Sequence, residues 1–176
     1  LGTDHRWRVE HLGAARADQM KRAADLGVSI SLGAFQFVYW GDLVDGGLFP
    51  SEYGSQWQRF ADAFKSGAVV SFHNDGSVSP PFPLLNIKAA VTREAFSGNV
   101  HGPEQKISLD DAIRAHTINA AHHLKRDDEI GSIEVGKAAD FTVFSADIMT
   151  VPEPEILKAE CVLTIVGGDI AWEKRG

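Results

Sequence analysis

"AVVSFHNDGSVSP", residues 68–80, decides the reading of the fold. Ala68, Val69 and Val70 form an apolar run that reads as a short buried strand. The run ends in three polar residues, His73, Asn74 and Asp75, followed by Gly76. A buried strand that finishes in an imidazole and a carboxylate is either a solvated loop entry or a place where chemistry happens.

The segments before it repeat one theme. "RWRVEHL" reads as a strand ending near His11. Residues 15–26 place Ala15, Met20, Ala23, Ala24 and Leu26 at helical spacing, and Gly27 stops the helix. "VSISLG" is a second short strand. Residues 35–53 are aromatic and Gly-rich without a clear period and are read as a long loop, a kind usually functional or poorly ordered in compact domains. "SQWQRFADAFKSG" returns to helix and stops at Gly67. Strands alternating with helices predict an α/β fold with a parallel sheet built from right-handed crossovers.

Beyond the Pro-rich "VSPPFPLL" a helix is predicted over residues 84–96. "SLDDAIRAHTINAAHHL" predicts another over 108–124, with Ser108 as N-cap and Asp111 three residues on. The character changes at Gly131. "GSIEVGKAADFTVFS" and "ECVLTIVGGDIAWE" are β-rich runs joined by Gly turns, and "GGD" reads as a hairpin. No internal repeat and no low-complexity segment is visible.

The 176 residues suit one domain or one and a half, enough to bury a core. A net charge of −7 argues against nucleic acid as the main partner, since phosphate binding needs a basic face. The lone cysteine, Cys161, sits among apolar residues and is expected to be a buried strand residue; one cysteine allows no disulfide framework within the chain. No apolar run approaches the ~20 residues that span a bilayer, so no membrane is expected as partner. No targeting segment is visible, and a cytoplasmic location is the expectation. The first residues run almost at once into a strand, as the middle of a longer protein would.

His11 and Asp75 both follow strands, and in parallel α/β folds sites form where strand C-termini converge. Imidazole nitrogen and carboxylate oxygen are ordinary zinc donors, and an Asp beside a metal-activated water can act as base and then acid. On spacing alone His11 could equally be a hydrogen-bonded structural residue and Asp75 a turn former before Gly76. If the strand persists, His73 and Asp75 share a face. His122 and His123 end a helix, where interaction with its dipole is the simpler reading. Asn119 either caps or braces a loop near the site or, the simpler reading, packs, and His5, His101 and His116 show no partners in sequence. "GKAADF" lacks the first glycine and the hydroxyl residue of a phosphate loop.

Taken in order, "HRWRVEHL", "HNDGSVSPPFPLLNIKAAVTR", "ISLDDAIRAHTINAAHHL", "GSIEVGKAADFTVFS" and "VLTIVGGDIAWE" resemble the amidohydrolase superfamily. The closest likeness is to its predicted metal-dependent hydrolases of the amidohydrolase family 3 type. The resemblance implies the C-terminal portion of a (β/α)8 TIM-like barrel, its last three strands and their helices, over residues 1–130. Residues 131–176 would be strands of a composite β-sandwich. It implies a divalent metal, expected to be zinc, with His11 matching a metal-binding His of the sixth strand. Asp75 matches an Asp of the eighth strand that sits beside the metal, orients the attacking water and relays its proton. The family's usual wording there is Gly-Ser-Asp, whereas this chain has His73, Asn74 and Asp75, so the pocket beside the Asp is expected to differ. The family's other ligands come from earlier strands, which this chain does not contain.

The implied activity is metal-dependent hydrolysis of a non-peptide C–N bond, an amide or N-acyl group of a small molecule. A deaminase of the same superfamily is the alternative. The pocket is expected to involve His73, Asn74, Phe35 and Gln36. Phe37, Tyr39 and Trp40 suggest an apolar or aromatic substrate group, or else pack the barrel rim. From a different class comes the reading of a non-catalytic fragment that self-associates to cover an open sheet edge.

Overall fold

The structure, a computed structural model, describes residues 4–76 and 78–175. Strands β1 (Arg8–His11), β2 (Ser29–Leu32) and β3 (Val70–Phe72) form a parallel sheet in the order β1-β2-β3. Helix α1 (Ala17–Asp25) connects the first pair, and α2 (Ala34–Val44), α3 (Ser51–Gly54) and α4 (Phe60–Lys65) connect the second. Helices α5 (Pro83–Thr92), α6 (Leu109–His116) and α7 (Ile118–His123) follow β3. A separate antiparallel sheet, β4 (Phe141–Phe144), β5 (Cys161–Val166) and β6 (Asp169–Glu173), closes the chain.

Pairing register explains the two faces of the parallel sheet. Arg8 lies opposite Ser29, Glu10 opposite Ser31, and Ser31 opposite Ser71, so alternation gathers polar side chains on one face. The other face carries Ile30, Leu32, Val70 and Phe72, which join one core with Met20, Phe60 and the alanines of α6. Asn119 donates to Val70 O at 2.8 Å, satisfying a carbonyl of β3, and Ser71 Oγ lies 2.8 Å from His123 Nδ1.

Four expectations from sequence need correction. Residues 35–53 are not a long loop: most of the stretch is α2 and α3. Phe35, Phe37, Val38 and Val44 of α2 are all buried, and a helix apolar all round shows no amphipathic period to read. The helix expected over 84–96 ends at Thr92, because Arg93 takes a left-handed conformation, φ 58°. The helix expected over 108–124 breaks at Thr117, whose hydroxyl bonds back to Ile113 O at 2.9 Å. Its start is as read, with Ser108 Oγ accepting from Asp111 N. Finally, Cys161 is only half-buried: it borders a cavity that Phe144, Ile148 and Leu157 also line, instead of being packed into the sheet's interior. The Gly167-Gly168 turn does join β5 and β6 as a hairpin, with φ of 61° and 91°.

Candidate metal centre

Parallel strands end on one rim, and the rim of this sheet carries His11 from the tip of β1 and His73 and Asp75 from beyond β3. Strand alternation alone would not bring them together. His11 has the parity of Val9, whose register partner Ile30 points to the helical side. The backbone departs from alternation at this point: His11 and Leu12 have φ of 68° and 54°. Asp75 is also left-handed, φ 56°, because β3 stops at Phe72 and does not persist to the carboxylate. Such conformations of non-glycine residues cost on the order of 1–2 kcal/mol each and concentrate at functional sites. As a result one ligand atom from each of His11, His73 and Asp75 lies within 4.8 Å of the others. The two imidazoles meet edge to face with centroids 4.8 Å apart.

The electrostatics suit a cation. His73 is half-buried and its Nε2 is sealed from solvent without a hydrogen-bond partner. Burial holds its pKa below the usual imidazole value, against the pull of Glu10, whose Oε2 is 3.8 Å away. A neutral imidazole with an unused lone pair is what a metal ligand requires. Two imidazoles and a carboxylate match the donor chemistry of zinc, so the residues present fit a divalent ion. His73 thus joins His11 and Asp75 as a group that could donate to an ion.

The neighbouring side chains divide by role. Phe35 is buried and lies edge-on to both His73 and Trp40. Phe37 belongs to the core, beneath the Arg93 guanidinium 3.8 Å from its ring, while Tyr39 and Trp40 are exposed. Asn74 is engaged by the following loop: its Nδ2 donates to Ser79 Oγ and Pro80 O, and its Oδ1 accepts from Asn86. Gln36 is buried, with Nε2 3.2 Å from His11 Nδ1, and its Oε1 accepts from Gln58 Nε2 at 2.9 Å. The other histidines lie elsewhere. His101 bridges Asp42 and Asp45, His122 contacts Arg6 and Asp127, and His5 contacts Leu26 O. Glu10 and Gln58 were not singled out in the sequence. Glu10 had a signal, a carboxylate inside a strand beside His11; Gln58 had none.

Set against known proteins, residues 1–171 match the model of the Amidohydrolase family. The N-substituted formamide deformylase of Arthrobacter pascens is 29% identical over 96% of this chain and 31% of its own length. The imidazolonepropionase of Bacteroides thetaiotaomicron is 31% identical over 89% of this chain and 34% of its own. Among solved structures, an uncharacterized metal-dependent hydrolase of Pyrococcus horikoshii superposes with a TM-score of 0.69 at 27% identity, covering 84% of this chain and 30% of that one. The chain belongs to the amidohydrolase family. It spans about a third of the length of these curated relatives.

Proposed function

We propose that the intact protein is a metal-dependent hydrolase that cleaves a non-peptide C–N bond, an amide or N-acyl group, of a small molecule in the cytoplasm. In this reading residues 1–130 supply the last three strands of a (β/α)8 barrel with their helices, and residues 131–176 supply strands of a composite β-sandwich. The convergence of His11, His73 and Asp75 on one rim carries the reading. The deformylase named above supports the bond type, and the donor set supports zinc.

Bound at this rim, zinc would polarise the scissile carbonyl and lower the pKa of a water. His11 offers an imidazole nitrogen to the ion, and half-buried His73 presents a second. Asp75, only partly buried and so within reach of solvent, takes a proton from the attacking water. It returns that proton to the leaving nitrogen as the C–N bond breaks and the water oxygen joins the carbonyl carbon. Phe35, His73, Asn74 and Gln36 form the wall beside it, and no nucleic acid or membrane takes part.

The 176-residue chain by itself is proposed to be inactive. Trp7 is 62% exposed beside β1, and Val9 within β1 is 37% exposed, so the open edge invites self-association. The test is a zinc analysis of the intact protein and of the chain alone, with hydrolysis assays on N-acyl amines, aryl amides and aromatic amines. Zinc and amide turnover in the intact protein only is the expected result. Turnover of aromatic amines alone would favour a deaminase, and absence of both zinc and turnover from the intact protein would refute the hydrolase.

A further inference from the structure

Behind His11 lies a buried file of amides that nothing in the reaction itself demands. Gln36 Nε2 is 3.2 Å from His11 Nδ1, and Gln36 Oε1 is 2.9 Å from Gln58 Nε2. The space for Gln36 is made by Gly33: a Cβ there would stand 3.1 Å from the Gln36 amide carbon. Gln58 is fully buried and held in the left-handed region, φ 54°. Its N–H donates to Gly13 O at 2.9 Å, and its carbonyl accepts from Arg93 Nη1 at 2.7 Å. Arg93, also fully buried, donates in addition to Ser55 O, Trp57 O and His101 O. Gly13, two residues past His11, lacks a side chain where a Cβ would stand 2.4 Å from the Trp57 ring. The far end of the file is therefore anchored to the same segment that carries His11.

Two amides in series can run the hydrogen bonds in either direction, because rotating both exchanges donors and acceptors at the same positions. In one direction Gln36 donates to Nδ1, and the His11 proton sits on Nε2. In the other, His11 Nδ1–H donates to Gln36 Oε1, Gln36 Nε2 donates to Gln58 Oε1, and His11 Nε2 is left as a free lone pair. Metal-binding histidines nearly always donate their second ring nitrogen to an acceptor that fixes the tautomer. Either direction leaves one buried group of Gln58 without a partner, Oε1 in the first and the rotated Nε2 in the second, so the choice of direction falls to His11.

We propose that Gln36, backed by Gln58, is the positioning residue for His11: it accepts Nδ1–H and so presents Nε2 for metal binding. The inference rests on the reading of the rim as a metal site. It is tested in the intact protein by two independent readouts. Nitrogen-15 NMR of metal-free protein reports the His11 tautomer, and competition with a chelating dye reports zinc affinity. Nδ1–H is expected in the wild type. Gln36→Glu, which can accept the same proton, is expected to keep that tautomer and wild-type affinity. Gln36→Met should lose the tautomer preference and weaken zinc about 10- to 100-fold. Gly33→Ala, which crowds the amide, should move both readouts in the same direction by less.

A wild-type His11 protonated on Nε2, or a Gln36→Met variant unchanged in both readouts, would overturn the proposal. The metal reading fails separately, if His11→Ala binds zinc as tightly as wild type. Gln36-dependent Nδ1–H in that case would still establish Gln36's hold on the ring.

Discussion

Strands β2 and β6 are both short and both mix apolar with polar side chains, yet every residue of β2 is buried and every residue of β6 is exposed. Ile30 and Leu32 have no accessible surface, whereas Ile170 is 63% and Trp172 48% exposed. The difference is one of neighbours. β2 lies between two parallel partners with helices over its apolar face; β6 is the edge of a three-stranded sheet and, among the described residues, nothing covers it. Hydrophobic side chains mark where burial is wanted, and the rest of the fold decides where it happens. In the reading given above, the parallel layer holds both the core and the chemistry, and the tail sheet is a surface for the remainder of the barrel and sandwich to cover.

The largest effect expected from this contrast is on turnover. In the intact protein Asp75→Asn should lower kcat about 10²- to 10⁴-fold while folding is retained. Asp169→Asn, an exposed Asp of the tail hairpin, should leave kcat unchanged. Steady-state kinetics with a thermal melt on both variants checks this, and wild-type turnover by Asp75→Asn would end the proton-relay role. Next comes stability. Leu32→Ala should cost about 2–5 kcal/mol in urea unfolding of the 176-residue chain. Ile170→Ala should cost less than about 0.5 kcal/mol there. Equal losses from the two variants would erase the contrast.

Acid should also act on the parallel layer first. Burial pushes the pKa of His116 and of His123 down to about 4, with Arg8 and His122 adding to the effect on His123. Both groups take up a proton more readily when unfolded. Stability is therefore highest above the unfolded value of about 6.5, falls as pH drops through the interval, and stops falling below about 4. The slope is at most roughly 1.4 kcal/mol per pH unit for each group. Replacing His116 by Leu should flatten a plot of urea midpoint against pH between 6.5 and 4. No histidine follows residue 123, so the tail sheet has no such term. The smallest effect concerns Cys161: half-buried in β5, it should react with a thiol reagent in the native chain without prior unfolding, and more slowly in the intact protein. Equal rates in the two would mean that nothing further covers the tail sheet.

Local signals explain what could be read in advance. The β-branched runs, Gly27 and Gly67 at the ends of turns, the Ser108 cap and the Gly167-Gly168 hairpin each write their geometry within a few residues. Helix α2 was hidden because its apolar residues surround it and leave no period. At the rim, the residue types were legible and the geometry was not. His11 and Leu12 turn left-handed without a glycine to announce it, and only that turn carries the imidazole to His73. Gln58 and Arg93 acquire their partners through tertiary folding, across separations that no motif spans.

The central claim is that the rim cluster holds a metal. The most direct measurement is a crystal structure of the intact protein grown with zinc, with anomalous data on both sides of the zinc edge. One strong anomalous peak is expected within bonding distance of a His11 nitrogen, with His73 and Asp75 around it. A zinc-loaded protein whose peak lies away from His11 and Asp75 would contradict it.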